Sequence, residues 1–272
     1  MYPEILHLGP FVISSFGLML VIAFLSGNYL LRQDMILYGR DPLLADDLTF
    51  RAAIGGIIGA KLYYIIENLP SGHGLDNLSG IIEIFSGLFT LNFARAAAGI
   101  QNFGSGMVFY GGLIGGTIAV TLYIRKHGLK WLETGDWVAP YLALGHSVGR
   151  VGCLLVGDDY GVPSNLPWAM SFPNGLPPTH VPVHPTQIYE SVAYGVIFFI
   201  LYKNRANILV RGSAFFKYLL YVGCVRFLVE FIRTNPKILI GLSSAQVISI
   251  FMIIIGGWFL LTQNKKSESP AA

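Results

Sequence analysis

Seven runs of mostly apolar residues, near 11–31, 47–66, 105–124, 136–156, 187–203, 213–233 and 243–262, alternate with polar stretches along the 272-residue chain. Each approaches the roughly 20 residues that a helix needs to cross a hydrocarbon core. The pattern predicts an all-α integral membrane protein with about seven transmembrane helices. The basic residues orient it, because Lys and Arg collect in the cytoplasmic loops of such proteins. With the N-terminus outside, Arg32, Arg40, Arg125, Lys126, Lys130, Lys203, Arg205, Arg211, Lys265 and Lys266 fall in inner loops, against Arg95 and Lys237 in outer ones. The C-terminus is then cytoplasmic, and residues 1–272 are expected to form a single polytopic membrane domain.

Two outer loops are long. The first, about 67–104, carries apolar patches such as Ile81–Phe85 that are too short and interrupted to span, which predicts interfacial or amphipathic structure. The second, about 157–186, is rich in Pro and Gly, lacks Lys and Arg, and holds Asp158, Asp159, His180 and His184; it reads as a structured loop. No internal repeat or second soluble domain is visible, and a short polar tail follows Gln263.

Composition agrees with the pattern: 53% of residues are hydrophobic and 12% charged, where a soluble domain carries about a quarter charged residues. A net charge of +3 gives no support for nucleic-acid binding. Met1–Pro10 contains no Lys or Arg, so the first apolar span is expected to remain in the mature protein rather than be cleaved as a signal peptide. Cys153 and Cys224 lack metal or disulfide spacing, and prolines 177, 178, 182 and 185 prevent a helix that would pair His180 with His184 on a metal. No metal site is expected.

Ionisable groups inside the membrane mark function by default. At 1.5 Å per residue, Arg150 and Arg226 each lie roughly 20 Å along helices that start inside near Asp136 and Ser213, in the outer half of the bilayer. Arg226, Glu230 and Arg233 fall at i, i+4 and i+7, on one face of a continuous helix. Tyr110, Gly111 and Gly112 enter from outside to a similar depth. Two or three guanidiniums with one orienting carboxylate form a receptor for phosphate, and at this depth the available phosphate is a phospholipid headgroup. The alternative for Arg226 and Glu230 is a buried structural pair. For Arg233 it is snorkelling to the interface. No acidic residue lies one turn from Arg150 in its own helix. Arg51 reads as an inner-interface anchor, and His146 as a packed residue one turn before Arg150.

The segment Gly149-Arg150-Val151-Gly152-Cys153-Leu154-Leu155-Val156-Gly157-Asp158-Asp159-Tyr160-Gly161 resembles the Gly-Arg-x-Gly-Asn-Phe-x-Asn-Gly-Glu-x-x-Gly signature of the prolipoprotein diacylglyceryl transferases of bacterial inner membranes. Three further segments are similar to that family in the same order: Tyr110-Gly111-Gly112-Leu113-Ile114-Gly115, His184-Pro185-Thr186-Gln187-Ile188-Tyr189-Glu190 and Arg226–Arg233. The resemblance implies a multi-pass enzyme that moves the diacylglyceryl group of phosphatidylglycerol onto the lipobox cysteine of a prolipoprotein signal peptide, releasing glycerol phosphate without a metal or organic cofactor. It implies catalytic roles for Arg150, Arg226, Tyr110 and Glu230. It also implies substrate contacts from Arg150, Arg226, Gly111, Gly112, Asp158, Gly161, His184, Gln187, Tyr189 and Arg233. In this reading Glu230 orients Arg226, and the glycine pair lets backbone approach the lipid.

Several family positions differ. Tyr110 stands where most members have histidine, and a phenol is a poor proton acceptor at neutral pH. Cys153 and Val156 replace asparagines, Asp158 replaces a glutamate, and Ser15-Phe16-Gly17 stands for Trp-Tyr-Gly. Three readings stand at this point: the lipoprotein transferase itself, a paralogue with the same donor and another acceptor, and a non-catalytic phospholipid-binding protein.

Overall fold

A computed structural model of the chain describes residues 2–8, 11–70, 73–104, 106–208, 210–239 and 241–268. Met1, Gly9, Pro10 and the last four residues of the polar tail, all part of the sequence reading, lie outside them. Among the described residues the helices are α1 (Ser15–Leu37), α2 (Leu43–Asn68), α3 (His73–Phe89), α4 (Phe93–Gly104), α5 (Phe109–Lys126), α6 (Trp131–Val156), α7 (Thr186–Lys203), α8 (Ser213–Val229) and α9 (Ser244–Glu268). Three short strand pairs accompany them: β1 (Glu4–Leu8) with β2 (Phe11–Ser14), and, antiparallel, β3 (Met170–Phe172) with β4 (Thr179–Val183) and β5 (Lys237–Leu239) with β6 (Leu242–Ser243).

Each of the seven predicted apolar runs contains a helix, although Phe11–Ser14 is strand and α5 starts only at Phe109. Three of them, at Ser15–Leu37, Leu43–Asn68 and Ser244–Gln263, are long and apolar enough to cross a membrane. Leu25, Phe50, Leu122, Phe199, Leu228 and Trp258, on six different helices, are each 61–68% exposed. Apolar side chains displayed on so many helix faces suit hydrocarbon rather than water.

The structure sharpens one segment of the sequence reading and corrects another. The loop at 67–104 folds as the helical hairpin α3–α4, whose helices meet through Gly80 against Gly99 and Gly87 against Ala96. Small residues there let the backbones approach, a signal that alternation of polar and apolar positions does not carry. The run expected to be helical to 233 ends at Val229, passes through a 3-10 turn at Glu230–Ile232, and leaves Arg233 extended at φ −92° and ψ 160°. Pro236 keeps Asn235 out of helical geometry, so no helix continues past this turn.

The described helices form two compact units, one made of Met1–Glu4, Ser14–Asp34 and Lys130–Ala272, the other of Ile5–Ile13 and Met35–Leu129. In the second unit α2 packs on α5 through Gly55 and Gly59 facing Gly111 and Gly115. This is the small-xxx-small device by which membrane helices approach without a hydrophobic driving force. A Cβ on Gly111 would collide with the Gly59 carbonyl and the Tyr63 side chain. The absence of a side chain at Gly111 is thus used by helix packing. Gly111→Val is expected to destabilise the protein by about 1–3 kcal/mol through overpacking; an unchanged thermal midpoint in detergent would refute this role. The same unit buries Lys61, whose Nζ donates to the Phe103 carbonyl and lies 4.4 Å from the Phe103 ring centroid.

The first unit is tied together by polar groups at helix ends. The buried Asp136 carboxylate of α6 accepts from the backbone N–H groups of Gly212 (2.5 Å), Ala214 (2.8 Å) and Phe215 (3.0 Å), capping the start of α8. Asp34 of α1 receives both Arg205 Nε (2.9 Å) and the Tyr141 hydroxyl. Gly157, in the left-handed region at φ 78°, ends α6 with its N–H on the Cys153 carbonyl. The chain then turns into the second long loop, which is structured as expected: Tyr160 stacks on the fully buried Phe172 at 5.3 Å, and β3 pairs with β4.

Candidate active site

In the first unit the ends of α6, α7 and α8 converge, and three arginines meet three carboxylates there. Arg150 on α6 places Nε 2.9 Å from Glu190 Oε2 and Nη1 2.7 Å from Asp159 Oδ2. Arg226 on α8 places Nη1 2.9 Å from Glu190 Oε1 and Nη2 3.1 Å from Glu230 Oε2. Arg233 donates Nη2 to Asp159 Oδ1 and lies 3.6 Å from Glu190 and 3.7 Å from Glu230. Glu190 therefore serves all three guanidiniums. Its side chain is 0% exposed, a burial that a carboxylate tolerates only with such partners. Tyr194 OH adds a hydrogen bond to Glu190 Oε1 at 3.3 Å. Glu230 is held by Asn235 Nδ2 (2.6 Å) and Ser243 Oγ (2.7 Å), so it is set by residues on the way into α9.

This arrangement corrects the picture of guanidiniums with a single carboxylate. Arg150 has no acid one turn away in its own helix, yet it has two acidic partners, one from the loop after α6 and one from α7. Arg233 does not snorkel: its side chain is 3% exposed and inside the network. Arg226, Glu230 and Arg233 do meet, but across a helix end rather than along one helical face. Sequence reasoning missed Glu190 and Asp159. The available signal for Glu190 was an acid inside an apolar run, which by itself marks a functional position.

Of the other sequence-selected residues, Asp158, Gly161, His184, Gln187 and Tyr189 lie in the same unit as this centre. Asp158 follows α6, and Gln187 Nε2 donates to its backbone carbonyl at 2.5 Å. Burial, then the neighbouring Asp159 charge, pushes the Asp158 carboxyl above the usual carboxylate range. For Asp159, burial acts upward, but Arg233 and Arg150 outweigh it and hold the carboxyl below that range. Gly161 bridges Arg233, with its N–H on the His184 carbonyl at 2.9 Å, so it ties the loop to the end of α8. His184 Nδ1 lies 3.3 Å from Tyr189 OH, which accepts from the exposed Trp168 Nε1 at 2.8 Å; this trio makes no ion pair with the network. Tyr110, Gly111 and Gly112 belong to the second unit at the start of α5, where the Tyr110 ring meets Phe109 edge-on at 5.9 Å. His146 packs edge-on between Tyr194 and Tyr218 at 5.2 and 5.9 Å.

Cys153, Asp158 and Asp159 bring a thiol and two carboxylates within 4.8 Å of one another. Arg150 Nη1 lies 3.7 Å from Cys153 Sγ and Asp159 is bound by two arginines, so the grouping sits in a cationic shell that disfavours a metal ion.

Apolar helices around a buried guanidinium–carboxylate cluster define a helical membrane protein with a charged centre. The family model described as prolipoprotein diacylglyceryl transferase matches residues 3–262, and the chain belongs to that family. It is 32% identical over 267 residues to the phosphatidylglycerol–prolipoprotein diacylglyceryl transferase of Methylococcus capsulatus, covering 93% of this chain and 92% of the relative. The equivalent enzymes of Clostridium tetani and Bordetella avium are each 34% identical, covering 94% and 98% of this chain and 95% and 97% of theirs.

Proposed function

We propose that the protein transfers the diacylglyceryl group of phosphatidylglycerol to the lipobox cysteine thiol of a prolipoprotein. The observation that carries this reading is the cluster of Arg150, Arg226 and Arg233 on shared carboxylates, in a chain of this family. The chain is a multi-pass protein of the bacterial inner membrane, with seven spans, the N-terminus outside and the reactive layer toward the outer face. The distribution of loop Lys and Arg supports that orientation.

In the reaction the thiol sulfur attacks the glycerol carbon that carries the phosphate. An S–C bond forms, the C–O bond breaks, and glycerol phosphate leaves with the electron pair. Charge grows on the phosphate oxygens as this happens. Arg150, Arg226 and Arg233 meet that charge with N–H donors already oriented, which is electrostatic stabilisation of the transition state. Glu190 and Glu230 hold the guanidinium planes in place. The thiol proton passes to Asp158 and on to water, since a carboxyl pushed upward by burial is a better proton acceptor than an ordinary one.

The test is the purified protein in detergent with labelled phosphatidylglycerol and a synthetic lipobox peptide. Label is expected on the peptide as a thioether, with one glycerol phosphate released per transfer and none for a peptide carrying serine in place of cysteine. Binding of phosphatidylglycerol without transfer would overturn the reading.

A further inference from the structure

The arginine cluster already contains an anion where a phosphate has to go. Asp159 uses both carboxylate oxygens, Oδ2 on Arg150 Nη1 and Oδ1 on Arg233 Nη2, as two non-bridging oxygens of a phosphodiester would. Its burial sets it apart from the other two acids of the cluster. The Asp159 side chain is 40% exposed, against 0% for Glu190 and 1% for Glu230. Glu190 and Glu230 are therefore the fixed floor, and Asp159 covers the side from which a ligand arrives. Asp159 also sits on a loop rather than a helix, three residues after the end of α6, in the left-handed region at φ 62°. Its position falls on one of the unspecified places of the family signature.

We propose that Asp159 is a tethered competitor for the phosphate site, displaced by the phospholipid headgroup and returning to help expel glycerol phosphate. The inference rests on Arg150 and Arg233 receiving the phosphate. The charge count favours the exchange: among the ion-paired groups three arginines face three carboxylates, and a phosphodiester carries one negative charge, so swapping it for Asp159 leaves the pairing balanced. Without the exchange, a fourth anion would enter a low-dielectric cluster already neutral, which is unfavourable. The released glycerol phosphate would hold the arginines more strongly than the diester does, because a monoester approaches two negative charges at neutral pH. A neighbouring carboxylate able to reclaim both guanidiniums opposes that product inhibition. Arg233 keeps Glu190 and Glu230 within 3.7 Å when Asp159 swings away, so the move leaves no buried guanidinium bare.

The experiment is steady-state transfer by the full-length protein, with sn-glycerol 1-phosphate as product inhibitor, for wild type, Asp159→Asn and Arg150→Gln. Asparagine is isosteric and accepts left-handed backbone, so Asp159→Asn removes the charge and little else. The KM for phosphatidylglycerol and the Ki of glycerol phosphate are expected to fall roughly tenfold in Asp159→Asn, since apparent affinity scales with the fraction of sites free of the tether. A thermal midpoint measured alongside separates this from misfolding. Asp159→Gly supplies a second variant that also suits φ 62°. A raised or unchanged Ki in both Asp159 variants, with Ki lost in Arg150→Gln, would overturn the competitor role while leaving the arginine cradle standing. An unchanged Ki in Arg150→Gln would instead remove the cradle itself and this inference with it.

Discussion

Arg226→Ala is expected to reduce diacylglyceryl transfer by about a thousandfold in kcat/KM. Removing one preorganised donor to a developing oxyanion typically lowers rate by about 10²–10³. Here the substitution also takes the cation from Glu190 Oε1, which keeps the Tyr194 hydroxyl, and Glu230 Oε2 loses a partner at 3.1 Å. Two displaced carboxylates then repel the phosphate that the remaining arginines must hold. Arg226→Lys separates charge from geometry: it restores a cation but not the fork that contacts both acids, and a point charge cannot bridge them. Its activity is expected to lie between the two, with most of the stability recovered. Comparable kcat/KM for wild type and Arg226→Ala would rule out Arg226 as a phosphate partner.

Glu190→Gln is expected to lower unfolding stability by about 3–5 kcal/mol, the range for removing one partner of a buried ion pair. Glutamine keeps the shape but takes the cluster from three carboxylates to two against three arginines, leaving a net buried positive charge. It also presents an N–H to guanidinium donors where an acceptor is required. The thermal or denaturant midpoint of the purified variant in detergent is the measurement, and a wild-type midpoint would show that Glu190 is not the hub. Glu190→Asp provides the contrast. It keeps the charge but withdraws it by one methylene, so loss of transfer with smaller loss of stability is the expected signature of an orienting role.

The residues of the site were unevenly legible in the sequence. Arg150, Arg226, Glu230 and Arg233 stood out because a charge within an apolar run needs a partner or a ligand. Their assembly did not, since Glu190 reaches Arg226 from 36 positions away and Asp159 reaches Arg233 from 74. Periodicity describes which residues share a face of one element and says nothing of which faces meet. The same gap explains Gly111. In the chain it is a glycine next to another at a depth where lipid was expected, whereas the structure sets it against the Gly59 backbone. The stretch 226–233 shows a different limit: the i, i+4, i+7 spacing predicts one helical face, but the helix ends at Val229 and the three side chains meet around its end.

By itself the sequence determined the apolar segments, the bias of loop Lys and Arg and the presence of buried arginines. These follow from transfer free energies of single residues and from local periodicity. Tertiary structure alone decided that the arginines are neutralised by three carboxylates, that Glu190 is their common partner and that Asp159 lies on the open side. Those facts depend on Coulombic and hydrogen-bond contacts between distant segments, whose strength is set by ångström-scale geometry that no single stretch of chain encodes.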